Sequence, residues 1–122
     1  GGNRQYALYN SATETKAYFS TDGFYSAGYA LANAYDISTS KFEHLFIVKK
    51  GVKFYLYING ENKQSQNAPA TTHKSATAFR IGDWADASGP FGGYIPEVLI
   101  FNRALSNNEI KALYDRGHDY YN

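Results

Sequence analysis

EHLFIVKKGVKFYLYING, residues 43 to 60, reads as two strands and the turns that fold them. Glu43 to Lys49 is apolar at odd and even positions alike, the pattern of a buried central strand. Lys50-Gly51 supplies a turn. Phe54, Leu56 and Ile58 then fall on one face of a second strand, and Tyr55 and Tyr57 on the other. A short glycine-containing loop between two such runs predicts an antiparallel hairpin. Asn59-Gly60 closes the stretch with a second hairpin signal, because both residues tolerate positive φ. A polar strand over Glu61 to Ser65 should return along an exposed edge.

Outward from this stretch, the chain keeps a strand-rich character. Tyr6 to Tyr9 and Ala17 to Ser20 read as short strands, Ser20 to Gly23 as a turn, and Phe24 to Ala32 as a strand interrupted by Gly28. Residues 66 to 77 form a polar loop. Ala78 to Gly82 and Tyr94 to Phe101 read as further strands, separated by the irregular loop 83 to 93. Short strands with turn signals between them predict an antiparallel β-sandwich of two sheets.

The pattern changes after Phe101. Ser106 and Glu109 have capping-box spacing, and Leu105 and Ile110 have the spacing of a hydrophobic staple. Ile110, Leu113 and Tyr114 share a helical face, and Gly117 suits a helix end. A short helix over about residues 107 to 115 is expected, docked on the sandwich because it is marginal alone.

The totals exclude several classes. With 122 residues the length is that of one domain. There is no cysteine, hence no disulfide framework, thiolate metal site or cysteine nucleophile. That absence does not place the protein inside the cell. The net charge of +1 offers nothing to nucleic acid, and Lys49, Lys50 and Lys53 read as a solvated hairpin tip. No apolar run approaches the ~20 residues of a membrane-spanning helix. The chain starts Gly-Gly-Asn without a signal peptide, as expected of a processing point or an artificial junction.

Aromatic content is high at 17%, with 12 Tyr, 8 Phe and one Trp. Some of these rings pack a core; others are candidates for a binding face. Trp84 stands among small and acidic residues in the 83-to-93 loop. With Asp83, Asp86 and Phe91 it would suit a sugar, the rings stacking on C–H faces and the carboxylates accepting hydroxyl protons. The alternative is that Trp84 plugs one end of the sandwich. Tyr55 and Tyr57 form a second candidate face, with core packing as the competing reading. Asp83 and Asp86, with loop carbonyls, are candidate ligands for a structural calcium; turn-forming, solvated acids are the alternative. His44, His73 and His118 lack metal-ligand spacing.

Several segments together resemble the C-terminal signature of the concanavalin A-like lectin/glucanase superfamily, in its laminin G-like branch. They are Phe79 to Gly82, Pro90 to Val98, Ile100 to Ser106, Glu109-Ile110 and Leu113-Tyr114. Phe42 to His44 and Tyr57 to Gly60 are similar to that family's central strand entrance and hairpin turn. The resemblance implies a jelly roll of two antiparallel sheets and a binding role, toward a glycan or a cell-surface receptor. The superfamily's glucanases carry Glu, Asp and Glu at alternate strand positions. This chain has only Glu97 on its matching strand, so no enzyme is expected. Pro96 stands where the family commonly has Asp, which removes a carboxylate and a ladder donor.

The first expectation is therefore a non-catalytic, lectin-like, carbohydrate-binding module of a larger secreted or surface protein. The second is an oligomerising receptor-attachment domain of a fibrous adhesin or a viral or phage tail fibre. Location outside the cell, on its surface or on a virion fits both. The N-terminal part is short for the family. Either it is abbreviated, or these residues are a fragment that associates with the rest of a longer chain.

Overall fold

The computed structural model describes residues 6–11, 14–21, 29–33, 35, 37–38, 40–76, 78–83 and 89–122. Among them are six strands and one helix: β1 (Tyr6–Ser11), β2 (Glu14–Phe19), β3 (Ala30–Asn33), β4 (Leu45–Lys50), β5 (Lys53–Ile58), β6 (Glu61–Asn67) and α1 (Asn107–Tyr121). They form two antiparallel three-stranded sheets, ordered β1-β2-β3 and β4-β5-β6. The expected turn 20–23 and the strand from Phe24 lie mostly outside the described residues.

The two predicted hairpins are present. Gly51, at φ +60, turns β4 into β5, with Lys50 opposite Lys53. Asn59 at φ +52 and Gly60 at φ +80 turn β5 into β6, with Ile58 opposite Glu61. Two consecutive left-handed residues match the twist of the strands they join. A bulge between Leu56 and Tyr57 then shifts the register, so that Tyr57 faces Asn62 and Leu56 faces Gln64. The polar edge strand runs two residues further than expected, to Asn67.

The alternation in β5 divides the molecule into three layers. Phe54, Leu56 and Ile58 are fully buried against Ala17, Phe19 and Leu31 of the first sheet. This is the sandwich core. Phe19 and Phe54 meet edge to face at 5.1 Å. The opposite face of β5 carries Tyr57, packed with Val48, Leu105 and Ile110. The sheet β4-β5-β6 is thus a middle layer between the other sheet and the helix. β4 is apolar on both faces for that reason, Leu45 and Ile47 facing one core and Phe46 and Val48 the other. It is nevertheless an edge strand of its ladder; the central position belongs to β5.

The helix is capped as its sequence predicts. Glu109 N donates to Ser106 Oγ at 3.2 Å, and Ser106 N donates to Glu109 Oε1 at 3.1 Å. Leu105 and Ile110, the expected staple, are buried in one cluster. Arg103 pairs with Glu109 and, with the Ser106 bonds, pulls its carboxyl down to about 2. The expected end at Gly117 is not observed. The helix continues to Tyr121, because tertiary contacts hold its last turn. The Tyr121 ring meets Phe42 at 5.7 Å, and Phe42 N donates to Asn122 Oδ1 at 2.8 Å.

Two predicted strands are absent as ladders. Residues 78–82 and 94–101 join neither sheet, and Phe79, Ile81, Tyr94 and Ile100 are exposed. Side-chain patterning encodes a tendency to extend, but a strand also needs a partner, which periodicity cannot name.

The core outweighs the caps. Leu56→Ala is expected to cost about 2–5 kcal/mol, against about 1 kcal/mol for Ser106→Ala. Urea unfolding of both variants measures the ranking; equal losses would show that helix docking, and not the sandwich core, limits stability.

Candidate functional site

The clearest concave feature among the described residues lies where the Asn59-Gly60 turn meets α1. It is a cleft of about 310 Å³ lined by Tyr35, Ile58, Asn59, Gly60, Glu61, Lys63, Lys111 and Tyr114. Its walls follow from two local choices. Gly60 has a φ that other residues rarely adopt, and a Cβ there would lie 3.0 Å from the Tyr114 ring. The turn can therefore seat the helix. Lys111 and Tyr114 stand three residues apart on α1 and so share the face that meets the turn.

The floor is held by a hydrogen-bonded hub. Asn59 N donates to His44 O at 2.8 Å, and His44 N donates to Asn59 Oδ1 at 3.0 Å. Asn59 Nδ2 donates to Glu43 Oε2 and to Tyr35 Oη, the latter at 3.2 Å. Glu43 has a side chain only 2% exposed, and Lys41 Nζ lies 3.9 Å from its Oε1, which accepts no hydrogen bond. Burial, then the hydrogen bond to Glu43, raise the Tyr35 hydroxyl above the ordinary tyrosine range. The phenol and the amide at the floor are thus fixed from behind.

At the rim, Glu61 pairs with Lys63 at 2.6 Å, and Lys111 pairs with Asp115 at 2.8 Å. The Lys63 bond holds the Glu61 carboxyl below its usual range, so it is an acceptor at neutral pH. The cleft thus offers two phenol rings, an amide, a carboxylate and two ammonium groups within one small volume. Such a set suits a polyhydroxylated ligand, whose C–H faces stack on rings while its hydroxyls donate and accept.

The residues singled out by sequence fall elsewhere. Trp84 and Asp86 lie outside the described residues. Asp83 is half-buried, with bonded or charged neighbours, and Phe91 is exposed. These two stand at the neck of the 83-to-93 loop, which is closed by Phe91 N donating to Gly82 O at 2.7 Å. Among the described residues, no three His, Asp or Glu side chains gather as metal ligands. Tyr57 is only 5% exposed, with its hydroxyl donating to Asn107 Oδ1, and Tyr55 packs against the same cluster. Their face is covered by the helix and not by the second sheet.

Sequence reasoning missed the cleft because its walls come from three separate segments. The Asn-Gly turn was the one available signal.

His44 connects the site to the fold. Its ring stacks on Phe46 at 5.9 Å and approaches Tyr114 at 6.2 Å. Nδ1 is buried without a hydrogen-bond partner.

The comparisons with known proteins agree with this architecture. A laminin G-type family model, described as concanavalin A-like lectin/glucanases superfamily, matches residues 1–111. The chain belongs to this superfamily. No curated protein sequence matches it. A crystal structure of an S-layer domain-containing protein from Clostridium thermocellum, residues 221–444, is similar at a TM-score of 0.54 and 25% identity. The match covers 93% of this chain and 58% of that one. Relative to the expected laminin G-like jelly roll, this superfamily member has two three-stranded sheets in place, with residues 78–82 and 94–101 outside any ladder.

A pH dependence follows for this laminin G-like chain. Burial lowers the His44 pKa from its ordinary 6.5, with the Glu97 charge partly opposing. The unfolded chain takes up the proton first, so stability is full above about pH 6.5 and is lost as pH falls through the lowered folded value. Melting temperatures measured from pH 7.5 to 5 should fall for the natural chain and fall less for His44→Phe. Parallel slopes would remove His44 as the cause.

Proposed function

We propose that this chain is a non-catalytic carbohydrate-binding module of a larger surface protein, and that the cleft between the Asn59-Gly60 turn and α1 holds the sugar. The observation that carries this reading is the convergence of Tyr35, Tyr114, Asn59, Glu61, Lys63 and Lys111 on one small cleft. Membership of a lectin/glucanase superfamily supports it. The structural neighbour, an S-layer domain-containing protein, supports a place on a cell surface.

A binding role fits better than hydrolysis. Glycoside hydrolysis uses a pair of carboxyl groups, one of them protonated to act as acid. In the cleft, Glu61 is the lining carboxylate, and Lys63 keeps it ionised. Glu43 lies behind the floor, bonded to Asn59, where no substrate oxygen could reach it without displacing that amide. The loop residues Asp83, Asp86, Trp84 and Phe91 remain a second candidate contact surface. Calcium at Asp83 and Asp86 belongs to the same proposal.

Glycan-array screening followed by calorimetric titration tests the reading. Lys63→Gln and Tyr35→Phe each remove one polar contact and should weaken binding by roughly 2- to 10-fold, the worth of one hydrogen bond. Lys63 is at the surface, so the Lys63→Gln variant should melt as the natural chain does. Affinity unchanged in both variants would move the site to the Trp84 loop. The absence of any glycan ligand at millimolar concentration would reject carbohydrate binding altogether.

A further inference from the structure

One oxygen of the Glu43 carboxylate has no role in the fold described so far. The side chain is only 2% exposed, and Asn59 is anchored through Oε2, yet among the described residues Oε1 accepts no hydrogen bond. A buried carboxylate oxygen left open is costly, and such a group calls for a reason.

The groups around this carboxylate form a reactive set. Lys41 Nζ lies 3.9 Å from Oε1 and is a nucleophile once it has lost a proton. Asn59 Nδ2, the nitrogen of a carboxamide, donates to Oε2. Nucleophile and leaving nitrogen thus stand at the two oxygens of one carboxylate. The carboxamide oxygen, Asn59 Oδ1, accepts from His44 N at 3.0 Å. That backbone donor sits where negative charge would gather if Asn59 Cγ were attacked. Tyr35 Oη accepts from Nδ2 at 3.2 Å and helps to hold the carboxamide in one orientation. The Lys41 side chain is 55% exposed, and its flexible four-carbon stem lets Nζ swing from Oε1 to Cγ.

We propose that the folded chain joins Lys41 to Asn59 through a side-chain amide bond, with Glu43 as the proton carrier. Glu43 takes a proton from the Lys41 ammonium through Oε1. The freed amine attacks Asn59 Cγ, and an electron pair moves onto Oδ1 beneath the His44 N–H. Glu43 then passes its proton to Nδ2 through Oε2. The Nζ–Cγ bond forms, the Cγ–Nδ2 bond breaks, and ammonium departs carrying the two protons that Nζ has given up. The reaction needs no oxidant or reductant, and Glu43 ends as the carboxylate it began as. The product ties the segment entering β4 to the turn after β5, in a chain that has no cysteine for a disulfide. Such a closure stabilises chiefly by restricting the unfolded chain.

Mass spectrometry of the folded polypeptide in which these residues occur tests the bond. The natural chain should be lighter than its sequence by the mass of one ammonia, and digestion should yield a branched peptide joining Lys41 to Asn59. Lys41→Arg should show the full mass, because a guanidinium stays protonated and cannot attack. Glu43→Gln should also show the full mass, for want of a proton carrier. Lys41 is at the surface, so Lys41→Arg should fold, and it decides alone if Glu43→Gln does not. Full mass in the natural chain overturns the proposal. So does ammonia loss that persists in Lys41→Arg, which would mark ring closure by Gly60 N onto Asn59. A branched peptide joining any other pair of residues overturns it equally.

Discussion

The side chain of Asn59 ties together three separate parts of the chain. Through Oδ1 it fixes the entrance of β4 at His44, and through Nδ2 it reaches Glu43 and Tyr35. Its own left-handed backbone starts the turn into β6. One residue therefore satisfies the N–H just before a strand, anchors a buried carboxylate and sets a turn. A buried carboxylate without such partners would be costly. The turn also needs Gly60, because the same backbone must leave room for Tyr114. Hairpin geometry, polar floor and helix seat are thus one constraint, and changes to any of them will be strongly non-additive.

Around that hub, apolar burial sets the layers. Each fully buried Phe, Leu or Ile gains about 1.5–3 kcal/mol relative to exposure, and β5 places three such residues on one face and Tyr57 on the other. The middle sheet is consequently covered twice. The exposed ion pairs on α1 contribute little by comparison. What they do instead is hold Lys111 and Glu109 in defined places on a helix whose inner face is already committed.

The sequence displayed these features unevenly. The two hairpins, the capping box and the staple were legible because each is a local pattern with a local physical cause. The Trp84 loop was legible only as composition. The helix end was misjudged at Gly117, because Tyr121 and Asn122 dock on Phe42, 80 residues away in the case of the Asn122 bond, and that contact outweighs a glycine's preference for ending a helix. Residues 78–82 and 94–101 were patterned as strands and lack ladders, since the partner is a property of the whole fold. Tyr57 looked like a binding face because alternation reveals that a face exists, without saying whether sheet, helix or ligand covers it. The cleft residues Tyr35, Lys63 and Lys111 carried no motif at all.

The position of the cleft has a thermodynamic consequence. One wall, Tyr35 with Asn59 to Lys63, belongs to the stretch just past β3, the turn between β5 and β6, and β6; the other, Lys111 and Tyr114, belongs to α1. An isolated helix of this length is marginal in water, so the second wall exists only while Ile110 and Leu105 stay docked. A ligand that touches both walls binds the docked state alone. It must therefore stabilise helix docking by the amount that docking contributes to its affinity. His44 lies at this junction, between Phe46 and Tyr114. Its protonation weakens the same packing that completes the cleft, so acid should reduce ligand affinity and fold stability together, through one contact.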